Sequence, residues 1–242
     1  MTAKRKTVLV TGASQGIGAA ITNLFLDRGY NVVANSRNIS RRNELERSDN
    51  LALVDGDIGL ASTSEQIVAT ALKRFGSVDV LVNNAGIFFA KPFTEYTPED
   101  FRALSSTNLD GFIFPTQLAI KQMLAQKTGG SIVSITASLA DHPLAVMTAS
   151  VPMITKGGIN ATSRSLAMEY AKQGIRVNVV APGVVDTPLL KGISKDFLQT
   201  LSPLGGIPSS KDIAEGVLYL TEASQVTGQV LHVDGGQHVG RW

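Results

Sequence analysis

Residues 11 to 18 read Thr-Gly-Ala-Ser-Gln-Gly-Ile-Gly and follow the apolar run Val8, Leu9 and Val10. Three glycines, Gly12, Gly16 and Gly18, stand where an apolar strand passes into a helical pattern. Glycine lets the backbone turn tightly there and brings free amides and a helix N-terminus against an anion. The chemistry suggested is a phosphate cradle, although a glycine turn alone also serves as a plain strand-to-helix connection. Other chemistries have less to work with. The chain has no cysteine, which excludes disulfides, thiolate nucleophiles and thiolate-bound metals. His232 and His238 lack a third ligand at a helpful spacing, so no metal site is expected. His142 could supply a proton near neutral pH, or simply be a solvated loop residue.

The elements that must hold this cradle are short apolar runs alternating with longer helical patterns. Strands are expected near 7–10, 32–34, 51–54, 80–82, 131–135, 176–180 and 230–233, and helices near 17–28, 63–75, 108–125, 154–170 and 211–220. Most of the strands are continuously apolar rather than alternating, the pattern of strands buried on both faces of a parallel sheet. The fold class expected is α/β: one Rossmann-type, doubly wound parallel sheet of about seven strands, with its ligand at the carboxyl ends of the strands. The 242 residues, 43% hydrophobic and 17% charged, suit a single domain spanning 1–242. A net charge of +2 with scattered basic residues argues against nucleic acid as a partner. With no apolar span and a polar Met1–Lys6 segment, the expectation is a soluble, cytoplasmic protein without a membrane partner.

Four ordered motifs together resemble the classical short-chain dehydrogenase/reductase family over nearly the whole chain. Thr11 to Gly18 fit its TGxxxGIG, Asn83 to Gly86 its NNAG, Pro182 and Gly183 its PG turn, and Asp234 to Gly236 its usual close. The resemblance implies a nicotinamide cofactor held by Gly12, Ser14, Gln15, Gly16, Ile17 and Gly18, with Asp57 and Ile58 at the adenine. Asn84, Ala85 and Gly86 would form the cofactor floor; Pro182, Gly183, Val185 and Thr187 would lie on the nicotinamide side. The second strand ends in Asn35-Ser36-Arg37, without the acid that NAD-preferring folds place there. Ser36 and Arg37 could instead meet a ribose 2′-phosphate, because a guanidinium's planar donors match phosphate oxygens, so NADP(H) is favoured over NAD(H). A solvated Arg37 and an ordinary turn role for Asp57 are the plainer alternatives.

For catalysis the resemblance points to Asn108, Ser138 and Lys156, the last also a cofactor-binding residue at the nicotinamide ribose, with Thr136 a second hydroxyl near Ser138 and a helix cap the alternative for Asn108. The family's Tyr-x-x-x-Lys is broken. Lys156 keeps its place, but Pro152 stands at the tyrosine position, and Tyr30, Tyr96, Tyr170 and Tyr219 all lie elsewhere in the sequence. Proline fits a first helical turn, so the fold should survive the exchange. The expectation is an oxidoreductase acting on a carbonyl or related C=X group with an atypical proton donor. A catalytically impaired nucleotide-binding relative, or non-redox chemistry in the same pocket, remains open. Residues 188–206 mix Leu189, Leu190, Ile193, Phe197 and Leu201 with glycine and proline, which suggests a substrate lid and a substrate with a hydrophobic portion. The apolar 230–233 run resembles the family's subunit contact, and a homotetramer is expected.

Overall fold

The computed structural model describes residues 5–41, 45–46, 48–185 and 200–240. Seven strands form one parallel sheet in the order β3-β2-β1-β4-β5-β6-β7. They are β1 Thr7–Thr11, β2 Asn31–Ser36, β3 Leu51–Asp55, β4 Val80–Asn83, β5 Gly130–Ile135, β6 Ile175–Pro182 and β7 Val230–Val233. Each expected strand is present. The helices are α1 Gly16–Asp27, α2 Ala61–Phe75, α3 Pro98–Leu104, α4 Gly111–Gln126, α5 Ser150–Tyr170 and α6 Ser210–Glu222.

The alternation of side chains along β1 shows why its sequence reads as continuously apolar. Val8 and Val10 pack on one face with Ile21 and Phe25 of α1 and Ile213 and Val217 of α6. Leu9 points the other way, among Ile67 of α2, Ile120 and Met123 of α4 and Ala167 of α5. Both faces are covered, so every position along the strand is buried. The single-domain Rossmann-type architecture is therefore the one expected, and its strand order reverses between β1 and β4.

Three local differences from the sequence reading matter. The short α3 was not anticipated, although Thr97 and Asp100 form a capping box around Pro98 at its first position. A wide turn of π-helix, Ser105–Asp110, precedes α4 and contains Asn108, so that asparagine sits in a bulged turn rather than at a regular helix start. Helix α5 begins at Ser150, four residues before the expected start, which makes Pro152 its third residue. An amide at that position has no intrahelical acceptor, so proline leaves no bond unmade.

Arg176 of β6 closes the C-terminus of α6 by donating to Leu220 O at 2.6 Å, Thr221 O at 2.5 Å and Val226 O at 3.2 Å. The last carbonyls of a helix otherwise lack partners. Replacing Arg176 with methionine should lower the unfolding free energy by about 2–3 kcal/mol, because several acceptors lose their donor together. Denaturant melts of the two proteins measure it.

Candidate active site

The loops leaving β1 and β4 are tied to each other at the point where the strand order reverses. Thr11 Oγ1 accepts from the backbone amides of Asn84 at 3.1 Å and Ala85 at 3.0 Å. In return, Asn84 Nδ2 donates to Thr11 O at 2.9 Å and Gly12 O at 3.0 Å. The approach leaves no room for side chains: a Cβ on Gly12 would lie 2.7 Å from Ala85 Cα, and one on Gly18 would lie 2.6 Å from Asn84 Nδ2. Gly12 and Gly16 also hold positive φ, at 66° and 55°. No side chain caps the N-terminus of α1, whose preceding residue, Gln15, is extended. Its first amides thus face the cleft without a side-chain acceptor.

Two cavities that share Gly86 and Ile87 follow the carboxyl ends of the strands. The first, about 360 Å³, is polar and is lined by Gly12, Ser14 and Gln15 from the glycine turn, Ser36 and Arg37 after β2, and Asp57 and Ile58 after β3. Asn35 was not singled out beforehand, yet its buried amide braces this rim by donating to Val54 O at 3.0 Å and Gly56 O at 3.2 Å. Asp57 Oδ1 accepts from Gly59 N at 2.9 Å, which is the turn role held open for it. Ala85 reaches this cavity as well.

The second cavity, about 210 Å³, is mainly apolar. Ile17 and Asn84 border it from the β1–β4 side, Pro182, Gly183 and Val185 from the end of β6, and Lys156 from α5. Leu139, Met147, Phe88 and Gln237 complete its walls and were not foreseen. Gln237 arrives because the C-terminal segment packs on the 182–183 turn: a Cβ on Gly183 would lie 2.7 Å from Asp234 Cβ and 2.9 Å from Gln237 Oε1. Thr187 and most of the anticipated 188–206 lid lie outside the described residues.

Of the expected catalytic residues, Lys156 opens on the cavity while Asn108 and Ser138 stand behind its wall. Asn108 is buried; its Oδ1 accepts from Ile87 N at 2.9 Å, and its Nδ2 donates to Ile87 O at 3.1 Å and Thr155 Oγ1 at 3.0 Å. It thereby joins the loop after β4 to α5 and is not a helix cap. Thr155 passes the chain on, donating to Pro152 O at 2.8 Å. The hydroxyls of Ser138 and Thr136 are both buried with no hydrogen-bond partner. Such orphaned hydroxyls are uncommon, and the turn that begins at Ser138 packs on α5, whose first turn carries Pro152. None of the four tyrosines lines either cavity. Tyr30 donates to Glu222, Tyr96 donates to Phe89 O, Tyr170 ends α5 and Tyr219 is exposed.

His142 does not stand alone in its loop. The chain's three histidines cluster, with His232 and His238 stacked at 4.0 Å between ring centroids and His142 at 5.3 and 5.4 Å from them. Asp234 holds Nδ1 of His238 at 3.0 Å. No group of three histidine, aspartate or glutamate side chains among the described residues is arranged to hold a metal.

A family model described as enoyl-(acyl carrier protein) reductase matches residues 12–238. The chain belongs to the classical short-chain dehydrogenase/reductase family. Carbonyl reductase family member 4 of Xenopus tropicalis is 37% identical over 233 residues, covering 96% of this chain and 97% of its own. Among solved structures, ElxO with NADP bound superposes with a TM-score of 0.88 at 29% identity, over 98% of this chain and 100% of that one. A tyrosine-to-phenylalanine variant of ElxO with NADPH bound gives 0.89 at 29% identity, also over 98% and 100%. A 3-ketoacyl-(acyl-carrier-protein) reductase from Brucella melitensis complexed with NADH gives 0.88 at 31% identity, over 96% and 98%. Among the described residues, no helix is long and apolar enough to cross a membrane.

Lys156 is the one charged side chain among the described residues that line the second cavity. Its Nζ donates to Ile135 O at 3.1 Å, and burial lowers its pKa from 10.5 to about 8. The folded pKa lies below the unfolded one, so the unfolded chain binds more protons between pH 8 and 10.5, and stability rises with pH across that window. The shift corresponds to about 3 kcal/mol against the charged form at pH 7. Lys156→Met removes that burden but leaves Ile135 O without its donor, at about 1 kcal/mol. The cofactor-free variant should therefore be more stable than the natural protein at pH 7 by about 2 kcal/mol, with the difference shrinking toward pH 10.5. Denaturant melts at both pH values test it.

Proposed function

We propose that this short-chain dehydrogenase is an NADPH-dependent reductase of a carbonyl or related C=X group, working with a proton donor other than tyrosine. The observation that carries the reading is the continuity of the two cavities. One end presents Arg37 and the uncapped start of α1 to phosphate groups, and the other presents Lys156 within apolar walls. When bound, the reduced nicotinamide supplies a hydride to the substrate carbon.

The chain's own residues hold and orient. Gly12, Ser14, Gln15, Gly16, Ile17 and Gly18 bring the backbone against the diphosphate, and Asp57 and Ile58 receive the adenine. Ser36 and Arg37 take the ribose 2′-phosphate, with no acid at the end of β2 to oppose it. Asn84, Ala85 and Gly86 form the floor; Pro182, Gly183, Val185 and, outside the described residues, Thr187 flank the nicotinamide. Ser138, buried behind the wall in the cofactor-free protein, polarises the substrate oxygen when its orphaned hydroxyl turns into the cavity, and Asn108 keeps α5 in register with the floor. The apolar walls favour a substrate with a hydrophobic portion. A homotetramer built on the half-exposed β7 edge suits the same reading.

A second reading, a nucleotide-binding relative with impaired redox chemistry, is favoured by Pro152 alone. The ElxO variant, which carries NADPH with phenylalanine in place of a tyrosine, is compatible with both readings, so turnover rather than binding separates them. Removing a phenol and removing cofactor binding are separate events, since the groups that hold the cofactor here come from other elements.

Two measurements test the proposal. Calorimetric titration should show NADPH binding more tightly than NADH, and Arg37→Ala should weaken NADPH by about tenfold to a hundredfold with little effect on NADH. Equal affinities, or an unchanged preference in the variant, would remove the NADPH reading. On a panel of simple ketones and aldehydes the natural protein should be slow. Pro152→Tyr should raise kcat by roughly 10² or more, the usual contribution of one general acid. Fast ketone reduction by the natural protein would show that its donor is fully competent without a phenol.

A further inference from the structure

Reducing a carbonyl requires a proton at oxygen as well as a hydride at carbon, and the cavity limits where that proton can come from. Among the described residues lining it, Lys156 is the single titratable side chain. Its neutral polar neighbours there, Asn84, Thr136 and Gln237, are not acids that a developing alkoxide could deprotonate near neutral pH. Asn108 is committed to Ile87 and Thr155, and the Thr155 hydroxyl is committed to Pro152 O.

Lys156 is also placed for the task. It lies four residues after Pro152 on α5, so the two share a helix face, and its ammonium stands on the side where the phenol would begin. One of its three protons goes to Ile135 O, leaving two undirected. Gly86 keeps the space in front of it open: a Cβ at that position would lie 3.1 Å from Nζ.

We propose that Lys156 is itself the proton donor, occupying the role that a tyrosine at position 152 would have filled. The inference rests on the reductase reading above. As hydride forms the new C–H bond, the π electrons of C=O move to oxygen, and oxygen takes a proton from Nζ. The carbonyl is reduced to an alcohol, the nicotinamide is oxidised, and Lys156 is left as a neutral amine that regains its proton from solvent. Burial supports this by bringing the ammonium from 10.5 down to about 8, close enough to working pH for efficient transfer. No charged side chain opposes or reinforces the shift: the groups facing Nζ from β5, the β4 loop, the β6 end and the 138–147 loop are uncharged among the described residues, and desolvation is its only cause.

The test pairs a readout on the cofactor-free protein with one on turnover. In protein labelled with ¹⁵N at lysine Nζ, the resonance lost in Lys156→Gln should titrate near pH 8. With NADPH and a reducible aldehyde, kcat/KM, which reports the free enzyme, should fall about tenfold per pH unit above that same midpoint. Pro152→Tyr, which supplies a separate acid, should break the coincidence between the two curves. A kcat/KM that stays level while the resonance titrates would make water the donor and overturn the inference, as would an ammonium still charged at pH 10. NADPH binding without any turnover of carbonyls would also overturn it, while leaving the cofactor assignment intact. Absence of NADPH binding would instead bring down the reductase reading on which it rests.

Discussion

The site depends on the seam between β1 and β4, where the direction of strand order changes and the two loops would otherwise diverge. Thr11 and Asn84 close that seam with four hydrogen bonds running in both directions. Small residues are then obligatory on both sides, because Gly12 and Gly18 lie against Ala85 and Asn84 with no allowance for a Cβ. The two glycine-bearing motifs are thus a single structural unit. The amides at the start of α1 and the floor at Gly86 are placed by the same bonds, which is how one seam can serve a polar cavity and an apolar one at once.

Most strands were legible because burial on both faces left the majority of their positions apolar, and the glycine turns because their conformations exclude other residues. Neither signal depends on distant parts of the chain. What stayed hidden was either short or assembled from afar. Helix α3 has seven residues and no apolar period, so only its capping box marked it. The start of α5 follows Ala149, which offers no side-chain cap, and passes through Ser150 and Pro152 before any helical periodicity begins. Gln237 and the histidine cluster could not be read at all. They meet only because β5, β6 and β7 are neighbours, which brings the loop after β5 against the segment after β7. The contrast with the first cavity is instructive, since its walls come mainly from the turns following β1, β2, β3 and β4, each of which is a local pattern in the sequence.

Proline at position 152 costs the scaffold little. At the third residue of a helix it has no amide bond to lose, and its carbonyl still accepts from Thr155, which keeps Asn108 and the β4 loop in register. What proline withholds is any ionisable group. The hydroxyls of Ser138 and Thr136 are buried without partners, and Lys156 has no titratable neighbour among the described lining residues. Alone against apolar walls, Lys156 carries the full penalty of burial, and that penalty makes its ammonium a stronger acid than a solvated lysine.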